Sequence, residues 1–260
     1  MPSVPVTKMH GTYNDFVVLD QRIPRISNLP LFAKTVCDRR AGVGADGLLV
    51  ITDSEHGDAR MSIFNADGSQ AEMCGNGARC VARYLSESGG GDDLVLETSS
   101  GAVKTSIISR EPFEVRVNVG KLRIQPVNLL HEDALCVWVG NPHVVVLQAG
   151  LDDLDLPALG RRLAATGQFP DGINVHAAVK AGPHQLQVRH YERGVGATMA
   201  CGTGAVASAA AALYRDLVLS PVEVQVPGGR LLVEWPGNGD AFLSGPAVRV
   251  FDTQFDVVPR

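Results

Sequence analysis

The chain contains a long internal repeat whose two copies are separated by about 127 residues. Each copy has an aromatic residue followed, ten positions later, by Cys-Gly-x-Gly-Ala, so that Cys74 corresponds to Cys201 (201 − 74 = 127). Asn14 and Asn141 begin similar apolar segments at the same offset. Solenoid repeats have periods of about 20–50 residues. A period this long therefore predicts two similar domains.

Both halves have the same pattern of secondary structure. Short runs rich in Val, Leu and Ile lie between Gly, Asp and Asn residues, which predicts strands. One conspicuous helix follows each Cys-Gly-x-Gly segment, at Ala78–Ser86 and Gly204–Tyr214, and a weaker helix is predicted at Leu156–Thr166. The helix at Gly204–Tyr214 is apolar on almost all sides and must therefore be buried. The sequence predicts an α+β fold of two similar pseudo-symmetric domains, each a β-barrel-like sheet wrapped round a central buried helix.

The two domains are predicted to span residues 1–124 and 125–246, with the junction near Arg123–Asn128. The chain has 260 residues, enough for two domains of ordinary size. Its net charge is −5, and it has no basic run, which disfavours nucleic acid and anionic membranes as partners. It has no apolar run of about 18 residues and no signal-peptide pattern, so a cytoplasmic location is expected.

The five cysteines are expected to be free thiols. An odd number of cysteines in a reducing compartment disfavours a disulfide framework. The chain has no CxxC pair and no cluster with zinc-ligand spacing, so we expect no structural metal. Buried packing is the expected role of Cys37, Cys80 and Cys136.

Cys74 and Cys201 are the candidate catalytic residues. Glycines at this spacing allow the chain to turn tightly into a helix whose first N–H groups are uncovered. Such a helix end binds carboxylates and stabilises a thiolate, which lowers the pKa of a cysteine from about 8.5. If two similar domains face each other, both sulfurs can reach one carbon, one as a base and the other as an acid. The sequence thus predicts an epimerase whose two thiols share one proton.

The same features predict a mechanism without a cofactor. Many racemases hold pyridoxal phosphate on a lysine, but none of the five lysines of this chain lies in a motif. The helix ends can instead bind the substrate carboxylate and the negative charge that develops on it.

Residues that differ between the repeats are candidates for substrate recognition. Asn65 aligns with Glu192, and Ala66 aligns with Arg193. A Glu-Arg pair can bind an ammonium and a carboxylate group. Neutral hydrogen-bond donors and acceptors would come from four asparagines, Asn14, Asn65, Asn141 and Asn174. The alternative is a surface ion pair and asparagines that merely occupy turns.

Histidine is the other residue type with possible chemistry. His143 follows Gly140-Asn-Pro and has two interpretations, a proton-handling or orienting group and a structural imidazole near a turn. A structural role is predicted for His10, His176 and His190.

These motifs together resemble the diaminopimelate epimerase family over nearly the whole chain. The matching segments are His10-Gly-x-x-Asn-Asp-Phe16, Gly42-Val-Gly-Ala-Asp-Gly47, Phe64-Asn-Ala-Asp-Gly68, Met73-Cys-Gly-Asn-Gly-Ala-Arg79, Gly140-Asn-Pro-His143, Gly172-Ile-Asn-Val175, Glu192-Arg-Gly-Val-Gly196 and Ala200-Cys-Gly-Thr-Gly204. The resemblance implies conversion of LL-2,6-diaminopimelate to the meso form without pyridoxal phosphate or metal, for lysine and peptidoglycan synthesis. It also implies a homodimer and a last strand, at 247–260, that returns to the first domain.

The resemblance assigns roles to individual residues. Cys74 and Cys201 become the acid–base pair. Backbone N–H groups of Gly75, Asn76, Gly202 and Thr203 receive the reacting carboxylate. Asn14, Asn65, Asn141, Asn174, Glu192 and Arg193 contact the rest of the substrate.

Three departures from the family motifs concern the fit round the reacting end of the substrate. The first motif has Thr12-Tyr13 where the family often has Leu-Gly, Gly47 stands where Gln is common, and Ala197 stands where Glu is frequent. The nearest rival is a two-thiol racemase for histidine or a proline derivative. Met199-Ala200 disfavours a proline racemase, which usually has Ser-Pro there. A thiol redox or binding protein without catalytic activity is a rival of another class, and it would not need both Cys-Gly-x-Gly turns.

Overall fold

The computed structural model describes residues 3–23, 26–71, 74–129, 132–151, 155–169 and 172–256. Within these ranges the chain forms helices and many strands, so the predicted α+β class is confirmed. Its first part contains β1 (Ser3–Gly11), β2 (Asn14–Asp20), α1 (Leu29–Val36), β3 (Gly47–Thr52), β4 (Ala59–Asn65), β5 (Gln70–Ala71), α2 (Gly75–Glu87), β6 (Asp93–Thr98), β7 (Gly101–Arg110) and β8 (Phe113–Lys121). It continues with β9 (Arg123–Leu129), β10 (Glu132–Val139), β11 (Asn141–Gln148), α3 (Leu156–Ala164), β12 (Asn174–Gly182), β13 (Gln185–Glu192), β14 (Gly196–Thr198), α4 (Gly202–Tyr214), β15 (Val222–Val226), β16 (Gly229–Glu234), β17 (Asp240–Pro246) and β18 (Val248–Asp256).

The described residues divide into two compact units. The first unit ends at Val117 and resumes at Gly245, and the second unit is Asn118–Ser244. The division therefore lies before the predicted boundary at 124 and 125. The division falls within β8, and β9, which pairs along its length with β10, lies wholly in the second unit. The final strand, β18, pairs with β1 of the first unit.

The strands of the two units are connected and paired in the same way. In the first unit β1 is antiparallel to β2, β2 is parallel to β3, and β3 is antiparallel to β4. Strand β4 then pairs antiparallel with β5 and parallel with β6. In the second unit β10 to β15 repeat this order and these directions. The sequence repeat is thus a repeat of topology.

The position of β9 beside β10 is taken in the first unit by β18, from the far end of the chain. Strand β9 immediately precedes β10, and both are antiparallel. The corresponding first strand, β1, begins at the start of the described chain and pairs antiparallel with β18. The first unit therefore needs the last strand to complete its pairing.

A central helix lies inside each unit. Helix α2 contacts β1 to β4, β6 and β7, and helix α4 contacts β10 to β13, β15 and β16. Helix α4 is almost entirely buried, and its many alanines allow the strands to approach it closely. The predicted barrel-like sheet round a buried helix is confirmed. Among the described residues, no helix is both long and apolar enough to cross a membrane.

The two smaller helices connect parallel strands. Helix α1 links β2 to β3, and its N-cap residue Asn28 accepts a hydrogen bond from Leu31 N. Helix α3 links β11 to β12, and its N-cap residue Asp155 accepts one from Ala158 N. Only α3 was predicted, and it ends two residues before the predicted Thr166. Both helices have a proline in the first turn, where the missing N–H has no helical partner to lose.

Candidate functional site

Each unit places one cysteine at the N-terminus of its central helix, in nearly the same geometry. Cys74 is the N-cap of α2, with extended backbone (φ −144°, ψ 111°), and its Sγ accepts the N–H of Gly77 at 3.3 Å. Cys201 is the N-cap of α4 (φ −123°, ψ 111°), and its Sγ accepts the N–H of Gly204 at 3.3 Å. The helices therefore begin immediately after the cysteines, whereas the sequence predicted starts at Ala78 and Gly204.

The early helix starts change which backbone groups belong to the first turn. The N–H groups of Gly75 and Asn76 belong to the first turn of α2, and those of Gly202 and Thr203 belong to the first turn of α4. First-turn N–H groups have no partner within the helix and are therefore available to an anion. Both helix ends combine a thiol with such donors.

In the first unit the side chain of Asn14 is held in one orientation beside Cys74. Its Nδ2 donates to Asp46 Oδ2 at 2.8 Å, so its Oδ1 faces the helix. There Oδ1 accepts from Asn76 Nδ2 at 3.1 Å, and the Cys74 Sγ lies 3.7 Å away. The structure thus brings together Asn14, Cys74 and Asn76, whereas their roles towards a substrate stay a prediction.

The orientation of Asn14 depends on a cluster of charged side chains. Arg39 bonds both Asp15 and Asp46, and Lys8 forms an ion pair with Asp15. Burial raises the pKa of Asp15, but the hydrogen bonds from Arg39 and Lys8 outweigh it and lower this pKa to about 2. Asp15 therefore remains ionised at neutral pH. Asp46 lies within the family motif Gly42-Val-Gly-Ala-Asp-Gly47, and the sequence did not predict this cluster.

Arg79 is a fully buried cation in the second turn of α2. Its Nε donates to Pro246 O at 3.1 Å and its Nη2 donates to Thr12 Oγ1 at 2.9 Å, whereas Nη1 has no partner in the described part of the chain. Gly11 makes room for it, because a Cβ there would lie 2.9 Å from Nη2. Burial lowers the pKa of Arg79, and the nearby thiols of Cys80 and Cys74 oppose this.

The bond from Arg79 supports a strained turn that precedes Asn14. Thr12 and Tyr13 both have positive φ, 57° and 62°. Such values are unfavourable for side chains other than glycine, and they match the two central residues of a type I′ hairpin turn. Tyr13 also stacks on His10, with ring centroids 5.2 Å apart. These contacts hold the β1–β2 turn in the conformation that presents Asn14.

In the second unit Cys201 lies in surroundings that favour the thiol. Burial raises the pKa of Cys201 well above its ordinary value, and the negative charge of Glu192 adds to this rise. Hydrogen bonds from Thr203 and from the Gly204 N–H act in the opposite direction but are weaker. The prediction that the helix N-terminus lowers the pKa is therefore wrong for Cys201. Loss of hydration and the Glu192 charge outweigh the helix end.

The other predicted substrate contacts lie near the ends of strands. Glu192 accepts a hydrogen bond from Thr198 Oγ1. Asn174 accepts the backbone N–H of Arg193 at 3.0 Å through Oδ1, and its Nδ2 donates to Pro142 O at 3.3 Å. In the second unit Asn174 thus ties the Arg193 segment to the start of β11.

Asn65, in the first unit, has a different setting. Its side chain is exposed at the end of β4, and its Nδ2 donates to Ser69 Oγ at 2.9 Å. The bond to Ser69 belongs to the turn that follows β4. This setting agrees with the alternative that asparagines occupy turns, and a contact from Asn65 to substrate stays a prediction.

His143 is completely buried and forms hydrogen bonds through both ring nitrogens. Its Nε2 lies 2.7 Å from Asn141 Oδ1, and its Nδ1 lies 2.8 Å from His176 Nε2. His176 Nδ1 in turn lies 2.9 Å from His190 Nδ1. The sequence offered a proton-handling or orienting role and a structural role for His143, and it did not predict that three histidines meet.

His143, His176 and Cys201 also have the donor atoms that zinc prefers. One ligand atom from each lies within 4.8 Å of the others. Two nitrogens on a tetrahedral zinc ion, each about 2.0–2.1 Å from the metal, are roughly 3.3 Å apart. The 2.8 Å between His143 and His176 is shorter and fits a hydrogen bond. In this geometry the cluster is therefore a hydrogen-bonded group rather than a metal centre.

Gly204→Ala is expected to lower the free energy of unfolding by about 1–3 kcal/mol. A Cβ at Gly204 would lie only 2.5 Å from Cε1 of the buried His176 ring, so one of the two would have to shift. Helix propensity alone predicts the opposite sign, because alanine is the better helix former. Gly77→Ala is the matched control in α2, where the nearest atom is the movable Leu49 Cδ2 at 2.9 Å. Thermal unfolding by circular dichroism checks both, and a Gly204→Ala protein as stable as Gly77→Ala would contradict the expectation.

Comparison with known proteins agrees with these features. A model of the diaminopimelate epimerase family matches residues 6–125 and 135–250. A diaminopimelate epimerase from Sphingopyxis alaskensis is 39% identical over 96% of each chain. Another, from Desulforudis audaxviator, is 40% identical and covers 95% of this chain and 97% of its own length. A solved phenazine biosynthesis protein of the PhzF family from Bacillus anthracis has a TM-score of 0.78 at 16% identity, with 99% of this chain and 100% of that chain covered. At that identity the last likeness shows the fold alone.

Proposed function

Because this chain belongs to the diaminopimelate epimerase family and is an isomerase, we propose that it converts LL-2,6-diaminopimelate into the meso isomer. The meso product would serve lysine synthesis and bacterial peptidoglycan. The identity of 39% and 40% to two diaminopimelate epimerases, over nearly the full length of each, supports this substrate. A homodimer, which the family resemblance implies, and a cytoplasmic location are also part of the proposal.

The observation that carries the mechanism is the matching placement of Cys74 and Cys201. Each sulfur caps a buried helix at 3.3 Å from the third N–H of that helix. Epimerisation needs a base that removes the α-proton and an acid that delivers a proton to the opposite face. We assign these roles to the two sulfurs. The thiolate takes the proton from the α-carbon, the other thiol gives up its proton, and the two protonation states are exchanged.

The surroundings of the two sulfurs support a resting state with one thiol and one thiolate. Burial and the charge of Glu192 raise the pKa of Cys201, which keeps that sulfur protonated. Near Cys74 the chain buries the guanidinium of Arg79, which has no carboxylate partner among the described residues. A buried cation is costly unless an anion lies nearby. A thiolate at Cys74 would supply that anion, so we propose Cys74 as the base of the resting enzyme.

The substrate is proposed to bind through two sets of groups. The reacting carboxylate would accept hydrogen bonds from the N–H groups of Gly75 and Asn76, and of Gly202 and Thr203, where charge develops in the transition state. Asn14, Asn65, Asn141, Asn174, Glu192 and Arg193 would bind the remaining ammonium and carboxylate groups. The thiols and the helix ends together provide the base, the acid and the anion site, and we therefore propose a reaction without pyridoxal phosphate or metal.

Deuterium exchange in heavy water tests the function directly. The protein is incubated with LL-diaminopimelate and without pyridoxal phosphate, and the α-hydrogen and the meso product are followed by NMR. We expect α-hydrogen exchange together with meso product. L-Histidine and L-proline are tested in parallel. Exchange in either of them without exchange in diaminopimelate would favour the related racemase, and exchange in none would refute the proposal.

A further inference from the structure

Three buried histidines of the second unit form a continuous hydrogen-bonded chain that ends at Asn141. They come from three adjacent strands, His190 from β13, His176 from β12 and His143 from β11. None is more than 1% exposed. The links are 2.9 Å from His190 Nδ1 to His176 Nδ1, 2.8 Å from His176 Nε2 to His143 Nδ1, and 2.7 Å from His143 Nε2 to Asn141 Oδ1.

The amide oxygen at one end determines the tautomer of every ring in the chain. Burial lowers the pKa of His143 and of His190 to about 3, and the pKa of His176 is also well below its ordinary value, so the rings are neutral. A neutral imidazole carries one N–H. Asn141 Oδ1 only accepts, so His143 carries its hydrogen on Nε2 and accepts at Nδ1. His176 must then donate from Nε2 and accept at Nδ1.

The other end of the chain makes this direction the more favourable one. His190 donates from Nδ1 to His176, which leaves His190 Nε2 as a bare acceptor, and this atom has no partner in the described part of the protein. Turning the Asn141 amide over would reverse all three tautomers and leave a buried N–H on His190 Nε2 instead. A buried donor without an acceptor is rarer than an unfilled lone pair. The hydrogen-bonded histidines therefore favour the orientation of the Asn141 amide in which Oδ1 faces His143.

The same hydrogen-bonded histidines support the turn that carries Cys201. A Cβ on Gly204, three residues after Cys201, would lie 2.5 Å from His176 Cε1, so the His176 ring packs directly against the first turn of α4. Ring nitrogens of His143 and His176 lie within 4.8 Å of Cys201 Sγ. Asn141 and the Cys201 turn thus rest on one buried set of rings.

We infer that His190, His176 and His143 are positioning residues that fix the amide of Asn141, so that its Nδ2 is presented as a donor to a carboxylate of the amino-acid substrate. The identity of the substrate in this inference rests on the proposed function, whereas the assignment of the tautomers does not. The oxygen of the amide is occupied by His143, and no acceptor for Nδ2 is found in the described ranges. A carboxylate is a ligand that an N–H₂ group held in this way fits.

The tautomers are measured on the whole wild-type protein labelled with ¹⁵N-histidine. Long-range ¹H–¹⁵N correlation spectra distinguish protonated from bare ring nitrogens. At pH 7.5 we expect N–H on Nε2 of His143 and His176 and on Nδ1 of His190. Any imidazolium among the three, or the reverse set of tautomers, would overturn the inference. This readout needs no activity, so it is separate from failure of the proposed reaction.

Variants of His176 test the effect on the substrate. His176→Leu removes both hydrogen bonds of the central ring, and we expect KM to rise about tenfold while kcat changes less than about threefold, because one substrate hydrogen bond is lost. His176→Gln retains an amide N–H that can donate to His143, and it is expected to recover most of the KM. His184→Gln, at an exposed histidine of the same unit, is the matched control and should leave KM unchanged.

Each outcome of the variant experiment either supports or overturns the inference. A folded His176→Leu protein with wild-type KM would overturn it, as would a His176→Gln protein no better than His176→Leu. In a folded His176→Leu protein, loss of the single tautomer of His143 together with the higher KM supports it. If His176→Leu does not fold, the wild-type tautomers and the His176→Gln protein decide.

Discussion

Replacing either Cys74 or Cys201 with serine is expected to lower kcat for epimerisation about 10²–10⁴-fold while the protein remains folded. A serine hydroxyl is a far weaker acid than a thiol, so it neither forms the anion that removes an α-proton nor delivers a proton readily. Serine is also one of the best N-cap residues. It can therefore replace Sγ as acceptor of the Gly77 or Gly204 N–H, and the helix cap is retained. The loss of activity should accordingly be far larger than the loss of stability.

The rate of meso-product formation and the α-deuterium content measure this effect, with circular dichroism as the check on folding. Cys80→Ala and Cys136→Ala are matched controls, because both thiols are buried and neither caps a central helix. Both are expected to keep activity within a few-fold of wild type. A folded Cys74→Ser or Cys201→Ser protein that kept more than about a tenth of the rate would contradict the two-thiol mechanism.

The repeat topology was predictable because it depends on local patterns that recur along the chain. Apolar runs such as Phe16–Leu19 and Val144–Leu147 lie within β2 and β11, and the alanine-rich segment after Cys201 forms the buried helix α4. Helix α1 was missed, although it has an Asn28 N-cap and a proline in its first turn. The starts of α2 and α4 were placed too late, because Gly-x-Gly has low helix propensity. Tertiary burial compensates for that propensity.

The two cysteines and their helix ends were also predictable, but their electrostatics were not. A helix N-terminus is a sequence-local feature, and it predicts a lowered pKa for Cys201. Burial and the position of Glu192 are tertiary properties, and they reverse the sign. The same limit applies to Arg79, whose complete burial no local sequence feature predicts.

Networks between distant residues were beyond sequence reasoning for the same reason. Arg39 meets Asp15 and Asp46 only because α1 returns the chain to the start of β3. The cross-strand register alone places His176 opposite His190. Each of these residues lies in a local sequence that gives no sign of the contact, and the family motif Gly42–Gly47 contains Asp46 without giving it a role. The sequence contains one signal of such networks, namely a polar residue near a strand end in both halves.

Acidification from pH 6 to pH 5 is expected to lower the free energy of unfolding of the second unit by about 3–4 kcal/mol. In the unfolded chain a histidine has a pKa of about 6.5 and binds a proton over this range. In the folded unit burial keeps the pKa of His143 and of His190 at about 3, and that of His176 well below its usual value. The unfolded state therefore binds up to three more protons. Stability is full above pH 6.5 and falls as the pH decreases towards 3.

Tryptophan fluorescence isolates this effect, because both tryptophans of the chain, Trp138 and Trp235, lie in the second unit. Urea unfolding is followed at pH 6 and pH 5 at constant ionic strength. Carboxyl groups in the unfolded chain titrate near pH 4 and contribute less in this window. His176→Leu removes one of the three protons taken up and should reduce the pH dependence by about a third, whereas His184→Gln should not. An unfolding free energy that is equal at pH 6 and pH 5 would mean that the buried histidines are already charged in the folded unit, and the tautomer chain to Asn141 would then have no basis.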